Sequence, residues 1–384
     1  MRGMWTMRSD TFIKSLSWED KMKPEREVRL IQLGVGNVGR ELIRQVLACR
    51  RLHRTELGLR LNYVALADIQ GAIWKEDGLS DENLRLLAEE GAQSLDRLGP
   101  LKETGKVVRR TGEREGRMEI VVDVTAADTS SLLLTALERG CGLVLSNKIP
   151  LASSLSVYRR LTANRNNERV RYETTVGAGL PVVDTFQKLL DTGDTVRRIR
   201  GCFSGTLGYI CSRLDEGVSF STAVQEAKRL GYTEPDPRDD LAGTDVARKA
   251  LILARLAGYD LETTDVVPES LFPTEMSSLS VEEFMAQLSS LDEGYRRRVA
   301  AASSRGNVLR YVAEVEEGRC RVRLAEVPRD SLLGALRGPE NIVSFQTERY
   351  AANPLTIIGP GAGPPVTAAG VLSDILALAR KWRD

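Results

Sequence analysis

A short apolar strand, Val28 to Leu33, runs into Gly34-Val35-Gly36-Asn37-Val38-Gly39 and then into Glu41 to Leu52, where apolar residues recur at helical spacing. Strand, glycine turn and helix in that order constrain the fold more than any other stretch of the chain. The first glycine permits a tight turn, the second lets a pyrophosphate approach the backbone, and the third lets helix and strand pack closely. The helix N-terminus then offers free N–H groups and the positive end of its dipole to phosphates. A second apolar strand, Leu61 to Ala67, ends at Asp68, the natural acceptor for a ribose 2′-hydroxyl of NAD. Asp68 lies 29 residues beyond Gly39, and the inserted segment Arg50 to Arg60 accounts for the excess over the usual spacing of about 20. A nearby arginine could instead accept the 2′-phosphate of NADP, so either cofactor fits.

Further strands follow at Glu119 to Val124 and Gly142 to Leu145, separated by a helix from Thr129 to Arg139 and followed by another from Ala152. Apolar strands alternating with helices imply an α/β domain with a Rossmann-type parallel sheet covered on both faces. The stretch between Gly71 and Gly116 is helical and charged in its middle and gives no clear assignment. After Tyr172 the pattern changes. Helices at Pro181 to Leu190, Leu207 to Leu214 and Ser221 to Leu230 flank a strand at Val196 to Phe203. Strands then dominate: Val308 to Val315, Cys320 to Val327 and Asn341 to Phe345, with a glycine-rich loop at Gly359 to Gly363 and a last helix from Thr367 to Arg383. The reading is a flexible tail (1–27), a dinucleotide-binding domain (28–172 plus 350–384) and a second, α+β domain (173–349). At 384 residues the chain has room for two domains, each with its own core.

Between residues 231 and 249 the sequence GYTEPDPRDDLAGTDVARK concentrates charge in a loop and the helix it opens. Pro235 and Pro237 favour a rigid extended loop from Tyr232 to Arg238, and Asp239, Asp240 or Thr244 can cap a helix running to Ala257. On that helix Asp245 and Lys249 lie about 40° apart around the axis. An ordinary exposed pair at this spacing contributes only about 0.2–0.5 kcal/mol. This helix is apolar almost all round, however, through Val246, Ala247, Ala250, Leu251, Ile252, Leu253 and Leu256. A charge pair on a buried helix is costly unless something demands it, and Glu234 and Asp239 lie just upstream. Such clusters of perturbed charge are where chemistry is done.

The net charge of +1 supplies no field for nucleic acid or membrane, and no apolar run reaches the roughly 18 residues of a span. Five cysteines without CxxC spacing support neither a zinc site nor a disulfide framework and fit a reducing, cytoplasmic setting. His53 is the one histidine, so acid–base work falls to Lys, Asp, Glu, Tyr or Cys.

Taken in order, LGVGNVG, VDVTAADT (122–129), SNKIPLA (146–152), YETTVGAGLP (172–181), FSGTLGYI (203–210), the acidic loop and GPGAGPPVTAAGVLSDIL (359–376) resemble the homoserine dehydrogenase family. The resemblance runs from Leu30 to about Leu378. It implies reversible NAD(P)H-dependent reduction of aspartate 4-semialdehyde to homoserine, and a second domain that binds substrate and dimerises. By the same resemblance Lys249 is the proton donor, Lys148 a second lysine near substrate and nicotinamide, and Gly231, Glu234 and Asp245 substrate contacts. Val35 to Val38, Thr125, Ser146 and Gly363 match cofactor contacts, while Glu173, Val176, Ala178 and Leu180 match a monovalent cation site. Family members often carry a kinase or ACT-type domain, and this sequence reads as the short form without either. Glu269 to Asn307 matches only loosely.

Each motif has a plainer reading. Thr125 and Ser146 could be helix caps, Lys148 a solvated strand end, and Gly359 to Gly363 a flexible turn; Tyr172 and Tyr209 read as packing residues. Two rival functions are a Rossmann oxidoreductase acting on another carbonyl or imine, and a non-catalytic NAD(P) sensor. The first would not need the carboxylates at Glu234 and Asp245, and the second would not need Lys249.

Overall fold

The computed structural model describes residues 25–112, 117–163 and 169–381. Most of the expected tail (1–24) and the end of the last expected helix therefore lie outside the described residues. The first sheet has the order β3-β2-β1-β4-β5-β6, built from β1 (Arg26–Leu33), β2 (Leu59–Asp68), β3 (Gly71–Trp74), β4 (Met118–Asp123), β5 (Gly142–Leu145) and β6 (Val170–Arg171). Its pairs are parallel except β2 with β3. β4 and β5 are buried throughout, as strands covered on both faces must be. The 37–57 and 364–381 helices pack on each other over one face, around Leu30, Leu42, Ile43, Val371 and Ile375.

The second sheet is antiparallel with the order β11-β10-β7-β8-β9. It comprises β7 (Val196–Cys202), β8 (Asn307–Glu316), β9 (Arg319–Pro328), β10 (Glu340–Thr347) and β11 (Leu355–Pro360). In β9 buried and exposed residues largely alternate, the mark of one wet face. Against its other side lies the 244–256 helix, packed across β8 and β9.

Three features differ from the sequence reading, and the stretch it read as helical in its middle is so. A single cluster of buried side chains runs from Ile31 and Val121 in the first sheet through Phe186 and Leu251 to Phe345 in the second, so the two halves share apolar packing. Between residues 71 and 112 the chain forms β3 and helices at Asp81–Glu90 and Thr104–Val108, short elements whose periodicity is too brief to read. The expected glycine loop is partly strand: Leu355–Pro360 pairs with β10, Gly359 opposite Asn341, and the β-branched run Thr356-Ile357-Ile358 explains it. The last helix accordingly begins at Pro364, where a proline is tolerated because its missing N–H has no partner to lose.

The acidic segment also differs. Pro237–Leu241 is a short helix capped by Asp236, whose carboxylate accepts the Arg238 N–H. The longer helix, Thr244–Leu256, has Gly243 at its N-cap with φ +72° and no side-chain cap. Asp239, Asp240 and Thr244 therefore do not cap it. A Cβ on Gly243 would lie 1.9 Å from the Tyr311 hydroxyl, so the left-handed turn and the tight approach both require glycine. Gly243→Ala should lower unfolding free energy by more than about 2 kcal/mol, from left-handed backbone strain plus the clash. Urea denaturation that gives the wild-type midpoint would contradict this.

Candidate active site

The turn after β1 has the three glycines in three different situations. Gly34 has φ +100° and packs against Val124 and Thr125, while a Cβ on Gly39 would stand 2.3 Å from the Gly34 carbonyl oxygen. A Cβ on Gly36 would meet nothing within 4 Å. The middle glycine thus faces open space, as close approach of a phosphate backbone requires. Val35 and Asn37, Val38 continue the turn into the 37–57 helix. Asp68 ends β2 beside it, its carboxylate accepting the Val35 and Ile69 N–H groups, both at 2.8 Å.

Thr125 follows β4 and Ser146 follows β5, at the carboxyl edge where ligands of parallel sheets bind. Asp123 is fully buried between them. Its carboxylate accepts Thr125 Oγ1 at 2.7 Å and Asn147 Nδ2 at 3.0 Å, and its carbonyl accepts the Ser146 N–H at 2.8 Å. The sequence reading chose Thr125 and Ser146 and passed over Asp123; an acid directly after the apolar run Ile120 to Val122 was the available signal. Gly363, with φ +114°, precedes Pro364 at the opening of the last helix.

Lys148 lies at the end of this edge and reaches across to the second half. Its ammonium is 3.4 Å from one carboxylate oxygen of Asp245, and Lys249 is 2.6 Å from the other. Lys249 also donates to the Phe203 carbonyl oxygen at 2.6 Å. The 244–256 helix buries every residue except Thr244, Asp245 and Arg248, so Lys249 is buried and Asp245 sits at the mouth, half-buried. Burial pushes the Lys249 ammonium below the ordinary lysine value; the charge of Asp245 opposes that shift and that of Lys148 adds to it. Burial alone would raise the Asp245 carboxyl, but Lys249 and then Lys148 hold it well below the usual carboxylate range.

The acidic loop closes beside this cluster. Gly231, φ +72°, ends the Phe220–Arg229 helix, and Glu234 follows, exposed. Asp240 ties the loop: one oxygen accepts the Glu234 N–H at 2.8 Å and the other the Thr206 hydroxyl at 2.9 Å. Burial pushes the Asp240 carboxyl up while those two bonds restrain it. Thr206 and the Phe203 carbonyl belong to FSGTLGYI, a motif visible in the sequence whose individual roles were not. Tyr209 bonds Glu226 and packs edge-on against Tyr232, consistent with a packing role.

Glu173 lies elsewhere, in the crossover between the two halves. Its carboxylate accepts the Val183 and Asp184 N–H groups at 2.7 and 2.8 Å, capping the Val182–Asp191 helix. Burial pushes it up to about 6. Asp374 of the last helix accepts the Glu173 N–H, and burial takes its carboxyl up to about 7. Ala178 has φ +54° and the Leu180 carbonyl accepts the Val182 N–H at 2.8 Å; Val176 is buried.

Residues 181–376 match the family model described as homoserine dehydrogenase. A homoserine dehydrogenase of Emericella nidulans is 42% identical over 276 residues, covering 68% of this chain and 75% of the relative. The chain belongs to the homoserine dehydrogenase family. The bifunctional aspartokinase/homoserine dehydrogenase of Haemophilus influenzae is 38% identical over 358 residues, 92% of this chain, and the chain spans 43% of that relative's length. Among solved structures, a hyperthermophilic archaeal homoserine dehydrogenase in complex with NADPH aligns with a TM-score of 0.69 and 26% identity, covering 93% of this chain and 99% of the other. These homoserine dehydrogenases support the Rossmann-type α/β assignment made from the glycine turn.

The electrostatics of the lysine pair can be checked directly. Asp245→Asn removes the charge that raises Lys249 against burial, so the Lys249 titration should move to lower pH. Carbon-detected NMR of the lysine side chains reads this, and an upward shift would show that Asp245 does not set the Lys249 charge.

Proposed function

We propose that the chain catalyses the reversible NAD(P)H-dependent reduction of L-aspartate 4-semialdehyde to L-homoserine, on the route to threonine and methionine. The observation that carries this is the convergence of Lys148, Asp245 and Lys249 where the carboxyl edge of the first sheet meets the second half. Residues 28–172 with 350–384 hold the cofactor, and 173–349 hold the substrate and form the dimer. Gly34 to Gly39, Asp68, Thr125, Ser146, Lys148 and Gly363 would contact NADP or NAD; the open space at Gly36 fits a pyrophosphate. When bound, the nicotinamide supplies the hydride.

Hydride arrival at the aldehyde carbon leaves negative charge on its oxygen. The Lys249 ammonium stabilises that charge and gives up a proton to it; in homoserine oxidation neutral Lys249 takes the hydroxyl proton. Burial and Lys148 make the neutral form accessible, while Asp245 keeps the protonated form available. Glu234 and Asp245 suit a cationic substrate amine, and Gly231 offers its backbone at the same loop. The exposed Glu234 carboxylate, held through its own N–H by Asp240, is presented to solvent from which such an amine arrives.

The proposal extends to a monovalent cation such as Na+ at Glu173, Val176, Ala178 and Leu180. There the Glu173 carboxylate and Leu180 carbonyl, which already accept N–H bonds, would be its oxygen donors. It extends also to a homodimer acting in the cytoplasm. No helix of the described residues is long and apolar enough to cross a membrane.

Steady-state homoserine oxidation with each nicotinamide tests the activity and the cofactor choice together. An analogue lacking the amino group should be a poor substrate; equal use of both would favour a different carbonyl substrate. Lys249→Ala should lower kcat by about 10³ or more, within the range for general acid–base groups, with NADPH binding retained. Glu234→Gln should mainly raise the homoserine KM, by about tenfold, the loss of ~1.5 kcal/mol from one charged contact; unchanged kinetics would remove Glu234 from the site. The rate of oxidation should rise with pH, because neutral Lys249 is the competent form, with a midpoint below the ordinary lysine value of about 10.4. A profile that falls over that range would overturn the proton assignment.

A further inference from the structure

We infer that Arg255 is a positioning residue, which sets the approach of Lys148 to the Asp245–Lys249 pair by tying the helix that carries the pair to the segment that carries Lys148. The inference rests on the reading of those three residues as the proton-transfer site.

Lys148 and Lys249 come from opposite halves of the molecule, so nothing local in the chain holds them together. Lys148 precedes a single helical turn, Ile149–Ala152, with Pro150 in its first positions. One turn cannot hold its own orientation, because nucleation fixes several dihedrals for one hydrogen bond. Its last carbonyls also lack partners within the turn. Arg255 supplies them: Nη1 donates to the Leu151 carbonyl oxygen and Nη2 to that of Ser153, each at 2.8 Å. Nε donates to the Leu261 carbonyl oxygen at 2.9 Å, and the Tyr158 ring lies 5.4 Å from the guanidinium.

Arg255 sits on the same helix as Lys249, about 9 Å further along its axis, with its side chain fully buried. Every other buried residue of that helix except Lys249 is apolar. An apolar side chain would fill the position without the penalty of burying a charge. Its planar fork reaches carbonyls on both sides of the junction from three separate nitrogens. Two weaker ties follow the same seam: Thr263 Oγ1 donates to the Ala152 carbonyl at 2.8 Å, and the Glu262 carboxylate accepts the Leu155 N–H at 3.0 Å. The helix, gripped at this end, presents Asp245 to Lys148 at its other end.

The experiment is a double-mutant cycle of Arg255→Lys and Lys148→Met, with folding followed by circular dichroism and NADPH binding by fluorescence. Arg255→Lys keeps the charge but offers one nitrogen in place of the three that now reach the Leu151, Ser153 and Leu261 carbonyls, so it cannot keep that bonding pattern. It should lower kcat for homoserine oxidation by about tenfold with little change in the cofactor dissociation constant, and by less than about twofold once Lys148 is methionine, as coupled residues do. Independent, multiplicative losses, or unchanged kcat in folded Arg255→Lys, would overturn the inference. If wild-type protein fails to oxidise homoserine, the proposed function falls, and the inference is still read from the Lys249 NMR titration. That titration should move up in Arg255→Lys, as the repelling Lys148 withdraws, and should not move further when Lys148→Met is already present. If Arg255→Lys does not fold, Thr263→Val should show the same dependence on Lys148 at smaller amplitude, and its absence would count against the seam.

Discussion

Two ammonium groups and one carboxylate meet where the halves of this molecule join, and the arrangement depends on the Asp245 carboxylate between the lysines. Without it, Lys148 and Lys249 would repel, and the buried Lys249 ammonium would lack a counter-charge. The surroundings serve this one carboxylate. The 244–256 helix is buried, which sinks Lys249; Gly243 bends the chain sharply enough to start that helix under Tyr311; and Asp245, at the exposed first turn, stays within reach of a lysine from the other sheet. A negative side chain in the first turn also meets the positive end of the helix dipole.

Much of this was legible in the sequence, and the reasons are specific. The glycine turn announces itself because three glycines serve three separate demands, of which the open Gly36 and the closed Gly39 are opposite extremes. Asp245 and Lys249 stood out because helical spacing put them on one face of an apolar segment. Asp240 was harder. Its position suggested a helix cap, yet it bonds the nearby Glu234 backbone and Thr206, the latter 34 residues away in the chain. Strand β11 was misread because glycine and proline at 359 and 360 resemble a loop, whereas pairing with β10 is a tertiary fact. The shared core across the two sheets was likewise invisible, since no local pattern reports which apolar faces meet.

The acidic loop reconciles two demands that conflict in a single residue. A carboxylate that greets a soluble cationic ligand must be exposed, and an exposed side chain on a loop is poorly placed. Here the exposed group is Glu234 and the fixed group is Asp240, which grips the loop by its backbone and leaves the Glu234 side chain free. Under the proposed reading, recognition falls to Glu234 in the loop and placement to Asp240 in the short Pro237–Leu241 helix.

The bond from Lys249 to the Phe203 carbonyl completes the picture through a count of hydrogens. An ammonium carries three N–H donors and a neutral amine carries two. Two acceptors in the protein, the Asp245 carboxylate and the Phe203 carbonyl, are present in either state. The third hydrogen is the one without a fixed protein partner, and its loss leaves a lone pair in its place. In the proposed reaction Lys249 can therefore change charge while keeping both acceptors, so the scaffold around it need not rearrange as the proton comes and goes.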